Sequence, residues 1–127
     1  MKNGTTCFLI DDDIDDQEIF KLVLKTVNPA ITCIVANDGV EAVHKLSQEG
    51  FNPDYIFLDL NMPRMDGKEC LQEIKKIARL KDTPIIIYST SSELRDIRET
   101  RALGACDYLE KQSSVGELKN RLAHFFK

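Results

Sequence analysis

The stretch Asp54-Tyr55-Ile56-Phe57-Leu58-Asp59-Leu60-Asn61-Met62-Pro63 constrains the fold more than any other part of the chain. Four consecutive apolar or aromatic residues, 55–58, read as a short strand buried on both faces. The run stops at a carboxylate, Asp59. Asn61, Pro63 and Met65-Asp66-Gly67 then take the chain into a turn-rich loop. A charge at the end of a buried strand is costly unless a partner meets it there. Matching groups are therefore expected at the ends of other strands.

The rest of the chain repeats this grammar. Residues 6–10 form a second apolar run, and five carboxylates follow within residues 11–16. The later ones suit a helix N-terminus, where the macrodipole favours negative charge. Residues 15–27 carry Ile19, Phe20, Val23 and Val27 at helical spacing, and Asn28-Pro29 ends that helix. A more mixed strand covers 31–36. Asn37-Asp38-Gly39 turns into a helix marked by Val40, Val43 and Leu46 and closed by Gly50. After the central strand, 68–79 read as a helix with Leu71, Ile74 and Ala78 on one face. The run 85–88 ends in Ser89-Thr90-Ser91-Ser92. Residues 93–103 are helical, with Gly104 as the stop. A short strand at 106–109 runs into Glu110-Lys111. Ser114 and Glu117 fit a capping box for a last helix with Leu118, Leu122, Phe125 and Phe126 inward.

Five alternating strand–helix units with short connections imply an α/β fold, a doubly wound (βα)5 parallel sheet with helices on both faces. Strands 1, 3 and 4 are near-continuous apolar runs and belong in the centre. Strands 2 and 5 are mixed and belong at the edges, which gives the order 2-1-3-4-5. The 127 residues suit a single domain, 1–127, with no output domain expected after it. Hydrophobic residues at 43% and charged residues at 30% argue against disorder. A net charge of −4 recommends neither nucleic acid nor an anionic membrane as partner. Cys7, Cys33, Cys70 and Cys106 lie far apart without a metal-binding spacing. The first, second and fourth fall in strand-like runs as small hydrophobes, which suits a reducing, cytoplasmic setting. No apolar run approaches the roughly 20 residues that span a bilayer.

In a sheet of this order the functional site lies at the carboxyl ends of strands 1 and 3. Asp11 and Asp12 then stand beside Asp59, with Ser89 from strand 4 and Lys111 from strand 5. Clustered carboxylates repel one another and raise their own pKa values, and a divalent cation relieves this. An all-oxygen set suits Mg²⁺ or Mn²⁺. Hydroxyl and ammonium donors beside a metal suit a phosphoryl group, and a carboxylate there can accept it. Singly, each residue has a plainer reading: a helix cap for the acidic run, a turn for Ser89, a surface charge for Lys111, edge packing for Tyr108. His44 and His124 fall on polar helix faces and read as surface residues, so the chain presents no strong candidate for a reactive histidine.

Four motifs, in order and at matching spacing, resemble the receiver domains of bacterial two-component response regulators over nearly the whole chain. They are Phe8-Leu9-Ile10-Asp11-Asp12-Asp13, residues 57–67 from Phe57 through Asp59 to Gly67, Pro84-Ile85-Ile86-Ile87-Tyr88-Ser89-Thr90, and residues 104–111 ending in Glu110-Lys111. The resemblance implies a flavodoxin-like fold and a signalling switch rather than an enzyme. It makes Asp59 the phosphoacceptor. Asp12 would ligate Mg²⁺ directly, Asp11 mostly through water, and Asn61 through its backbone carbonyl. Ser89 would bind the phosphoryl group, Lys111 would pair with the acyl phosphate, and Tyr108 would be the aromatic switch. The donor would be a sensor histidine kinase or phosphotransfer protein. Output would pass through helix 4, strand 5 and helix 5, to a protein target or a homodimer. Such receivers usually carry proline after the lysine, whereas this chain has Gln112, so a trans Lys111–Gln112 peptide is expected. Small receivers that serve phytochrome-type kinases are similar in lacking that proline and in carrying a Ser-Thr-Ser run.

Two other classes compete. A phosphatase with an aspartyl nucleophile usually has a second carboxylate two residues on, where this chain has Asn61, and a cap domain. A flavin- or nucleotide-binding module needs a glycine- or hydroxyl-rich loop after strand 1, where Asp11 to Asp16 would repel phosphate.

Overall fold

The computed structural model describes residues 4–111 and 114–126. Five strands, β1 (Thr6–Ile10), β2 (Thr32–Ala36), β3 (Tyr55–Leu58), β4 (Ile85–Ser89) and β5 (Asp107–Glu110), form one sheet in the order β2-β1-β3-β4-β5. Every neighbouring pair is parallel. Five helices alternate with them: α1 (Ile14–Val27), α2 (Gly39–Leu46), α3 (Gly67–Lys75), α4 (Leu94–Ala102) and α5 (Val115–Phe126).

The core divides at the sheet. On one face Phe8, Ile10, Ile56, Leu58, Ile85 and Ile87 meet Ala42 and Leu46 of α2 and Leu71 and Ile74 of α3. On the other, Cys7, Leu9, Phe57, Ile86 and Tyr88 meet Phe20, Val23 and Leu24 of α1 and Leu118, Leu122 and Phe126 of α5. Strands β1, β3 and β4 are buried almost throughout, whereas β2 and β5 are half-exposed. The unbroken apolar runs are central because both of their faces must be covered, at about 1.5–3 kcal/mol for each large side chain buried. Four helices start on side-chain caps, each worth about 1 kcal/mol. Asp13, Asp38, Asp66 and Ser114 accept from the backbone N–H three residues ahead.

Several boundaries differ from the sequence reading. The third helix ends at Lys75, and Ala78–Leu80 form a separate 3-10 turn. Ala78 is exposed, and Leu80 fills the core instead. Arg79 on that turn donates to the carbonyls of Phe51 and Gln48 at 2.9 and 2.7 Å, which ties the segment to the chain just after α2. Helix α2 ends at Leu46, well before Gly50. Ile19 and Val40, part of the apolar spacing that marks these helices, are 43% and 41% exposed; Gln17, Leu24 and Ala42 take buried positions. Cys106 precedes β5 and is exposed, so it is not packed as a small hydrophobe. Ser89 closes β4 as its last residue and is fully buried. The Lys111–Gln112 peptide lies outside the described residues. His44 and His124 are exposed, as expected.

Candidate functional site at the carboxyl ends of the strands

Sheet register builds the site. Ile10 lies opposite Leu58, so the next residue of each strand, Asp11 and Asp59, emerges side by side. Backbone bonds hold them there: Asp11 N donates to Ala36 O and Asp59 N to Ile10 O. Ser89 lies opposite Glu110, and Lys111 N donates to Ser89 O at 2.8 Å. Strand β5 thereby delivers Lys111 to the same edge.

Asp11 is fully buried and Asp59 is 5% exposed, while Asp12 is exposed. Carboxylate oxygens of the three lie within 4.8 Å of one another. Lys111 Nζ sits 2.7 Å from Asp11 Oδ2, 2.9 Å from Asp16 Oδ2 and 3.5 Å from Asp59 Oδ2. It also lies 5.3 Å from the centre of the Tyr88 ring. One ammonium thus answers three carboxylates. Asn61 N approaches Asp59 Oδ1 at 3.5 Å, and Asp13 N donates to Asp11 Oδ1 at 2.9 Å.

Burial pushes the Asp59 carboxyl up to about 7, against the pull of Lys111 and with further push from Asp11 and Asp12. Burial likewise raises Asp11, opposed by its bonds from Lys111 and Asp13 N. Burial alone would lower Lys111, but Asp11, Asp16 and Asp59 hold it above the ordinary lysine range. The pocket is short of positive charge, so an additional cation would be favoured at the carboxylates.

The loop after Asp59 is shaped for close approach. A Cβ on Gly67 would lie 2.3 Å from the Asp59 carbonyl oxygen and 2.6 Å from Leu60 Cα, so only glycine fits there. Gly67 N donates to Leu60 O at 2.8 Å and closes the loop into α3.

Ser89 Oγ accepts from Ser91 N at 3.2 Å. Tyr108 is half-buried, and its hydroxyl donates to the Ser91 carbonyl at 2.7 Å. Two residues escaped the sequence reading. Asp16 looked like a helix-cap charge, yet it reaches Lys111. Gln17 is buried, and its Nε2 donates to the Asp11 carbonyl at 2.5 Å and to Asn37 Oδ1 at 2.9 Å. A polar residue one step from an apolar helical stripe was the available signal for Gln17.

The family profile of the response regulator receiver domain matches residues 7–123. The chain belongs to that family, whose members act in two-component signal transduction. Response regulator Rcp1 of Synechocystis is 34% identical over 87% of this chain and 78% of its own length. Protein PilG of Pseudomonas aeruginosa is 35% identical over 83% and 78%. Among solved structures, the phosphorylated cyanobacterial phytochrome response regulator RcpA superposes with a TM-score of 0.87 at 30% identity, over 96% of this chain and 91% of that one. The Mn²⁺-bound form of Rcp1 gives 0.84 at 31%, with the same coverage. Among the described residues, no helix is long and apolar enough to cross a membrane.

Proposed function

We propose that this receiver takes a phosphoryl group onto Asp59 and converts it into a change of protein contacts. The observation that carries the assignment is the pairing of a buried, charge-starved Asp59 with Lys111 and two further carboxylates at one sheet edge. Asp59, once ionised, offers an oxygen to the phosphorus of a phosphohistidine; the O–P bond forms as the P–N bond breaks and the imidazole leaves with the electron pair. Lys111 balances the charge that accumulates on the acyl phosphate. Ser89, the last residue of the neighbouring strand β4, would turn its hydroxyl to donate to a phosphoryl oxygen.

Asp11, Asp12 and Asp59, with the Asn61 carbonyl, form the set that would hold Mg²⁺ or Mn²⁺; hard oxygen donors suit either ion. A bound divalent cation would neutralise the carboxylate repulsion and the phosphoryl charge. The likeness to Mn²⁺-bound Rcp1 supports this reading.

Receiver domains take phosphoryl groups from sensor histidine kinases or phosphotransfer proteins. The likeness to RcpA makes a phytochrome-type kinase the first donor to test. Four free thiols suit a cytoplasmic setting. The phosphatase alternative lacks a second acid, since position 61 is asparagine, and is not favoured over the signalling role.

Output is assigned to the face of α4, β5 and α5. A cavity of about 410 Å³ there is lined by Ile97, Thr100, Arg101, Tyr108 and Arg121, among others. Phosphorylation is expected to strengthen a homodimer or a target contact on this face. Ser89→Ala should still accept a phosphoryl group, about tenfold more slowly for loss of one hydroxyl donor, and should no longer couple it to association. Tyr108→Ala should uncouple association without slowing uptake. Analytical ultracentrifugation with and without acetyl phosphate reads this. Phosphorylation-dependent association that survives in both variants would place the switch elsewhere. The chemistry itself is tested by incubation with acetyl phosphate and Mg²⁺, where chelation should abolish uptake. Uptake unaffected by chelation would remove the metal from the scheme.

A further inference from the structure

Beyond the site, a chain of hydrogen bonds joins the start of α3 to the loop that follows Ser89. It starts at Lys68, the second residue of α3, directly after the Gly67 that packs on the Asp59 carbonyl. Lys68 Nζ donates to Asp96 Oδ1 and to Glu99 Oε2, each at 2.7 Å, and so links α3 to α4. The other oxygen of Asp96 accepts from Ser91 Oγ at 2.5 Å. Ser91 is in turn the residue whose N–H reaches Ser89 Oγ and whose carbonyl receives the Tyr108 hydroxyl. Three separate groups of Ser91 are therefore engaged, one by each neighbour.

The links are better shielded than an ordinary surface pair. The Asp96 side chain is 14% exposed and Lys68 26%, against 49% for Glu99. Lys68 and the Ser91 hydroxyl both hold Asp96 below the usual carboxylate range. Networks of this kind act as a unit, and loss of one member loosens the rest.

We propose that Lys68, Asp96 and Ser91 are positioning residues, a tie across α3 and α4 that holds the β4–α4 loop in its resting geometry and so restrains Ser89 and Tyr108. This rests on the reading of Asp59 as phosphoacceptor and of Ser89 as the group that meets the phosphoryl oxygens. For Ser89 to turn toward Asp59, its bond from Ser91 N must yield, and the tie resists that. Releasing it lowers the cost of reaching the phosphorylated arrangement.

The test is the rate of phosphoryl uptake from acetyl phosphate with Mg²⁺, together with ¹⁹F spectra of fluorotyrosine-labelled protein. The Tyr55, Tyr88 and Tyr108 signals are assigned by single Phe substitutions. Lys68→Met and Asp96→Asn should each speed uptake about three- to tenfold, and the double variant should be no faster than the faster single one, since both cut the same tie. Glu99→Gln should change the rate less than twofold. The Tyr108 resonance should move in Lys68→Met and in Ser91→Ala before any phosphorylation, while that of Tyr55 stays. Rates within twofold of wild type, slower rates, or a double variant whose gain is the product of the singles would overturn the proposal. If wild type takes up no label at Asp59, the reading of the site has failed. The Tyr108 resonance, which needs no phosphorylation, then decides the tie alone: unmoved, the tie is absent.

Discussion

Lys111→Met is expected to lose about 3 kcal/mol of folding stability at neutral pH, as buried ion pairs do when one partner is removed. The Lys111 ammonium faces Asp11, Asp16 and Asp59 with its side chain 6% exposed, and its methionine replacement has similar length and apolar bulk. The loss therefore reflects charge rather than packing. Its pH dependence follows from the direction of the shifts. In wild type, Lys111 has a raised folded pKa, so it stays charged from about pH 4 to 7 and its own proton is lost only at alkaline pH; any pH dependence below about 7 comes from its carboxylate partners. In the variant, Asp11 and Asp59 keep their burial and their mutual repulsion without relief. Their folded pKa values rise further, and the cost of ionising them grows from about pH 4 upward. Urea titrations of both proteins should show the gap narrowing as pH falls from 7 to 4. A gap that is constant across that range, or absent, would mean that Lys111 is not the charge that balances this site.

Asp59→Asn should have the opposite sign. Asp59 titrates near 7 in the fold and near 4 in the unfolded chain, so the folded state binds the extra proton between those values. Wild type therefore loses stability as pH rises from about 4 to about 7, and the full cost is present above 7. Asparagine has the same shape and no charge to bury. A three-unit shift corresponds to about 4 kcal/mol; local relaxation and water entry reduce this to about 2 kcal/mol, or a melting temperature about 5 °C or more higher at pH 7.5. At pH 4 the two proteins should melt together. Millimolar Mg²⁺ should stabilise wild type at pH 7.5 and leave the variant nearly unchanged, because a ligand of the folded state stabilises by mass action. Calorimetry across pH, with and without Mg²⁺, checks both statements. A variant less stable than wild type at pH 7.5 would mean that Lys111 and the backbone fully compensate the Asp59 charge.

The sequence was most legible where short-range rules coincide with long-range ones. Ile85 to Tyr88 could be placed in the sheet centre because an apolar run needs cover on both faces. Asp11 could be placed beside Asp59 because strand order and strand ends suffice. Helix faces were less legible. In α1 the spacing of Ile19 with Phe20 and Val23 suggested one stripe, but the helix turns so that Gln17 and Leu24 face inward and Ile19 lines the outer margin. A run of carboxylates also hides which member does what. Asp13 caps α1, Asp16 reaches Lys111, and nothing local separates them, because the second contact depends on β5 arriving from 95 residues away. In the tie through Lys68, Asp96 and Ser91, the Ser91–Asp96 bond is local, but Lys68 reaches Asp96 only because the packed sheet brings α3 beside α4.

Asp59 is the residue proposed to carry the phosphoryl group. The direct measurement is mass spectrometry after incubation with acetyl phosphate and Mg²⁺, on intact protein and then on borohydride-trapped peptides that locate the acyl phosphate. Wild type should gain one phosphoryl group, mapped to Asp59, and Asp59→Asn should gain none. Labelling of Asp59→Asn to the level of wild type, or a phosphoryl group mapped to Asp11 or Asp12 in wild type, would contradict it.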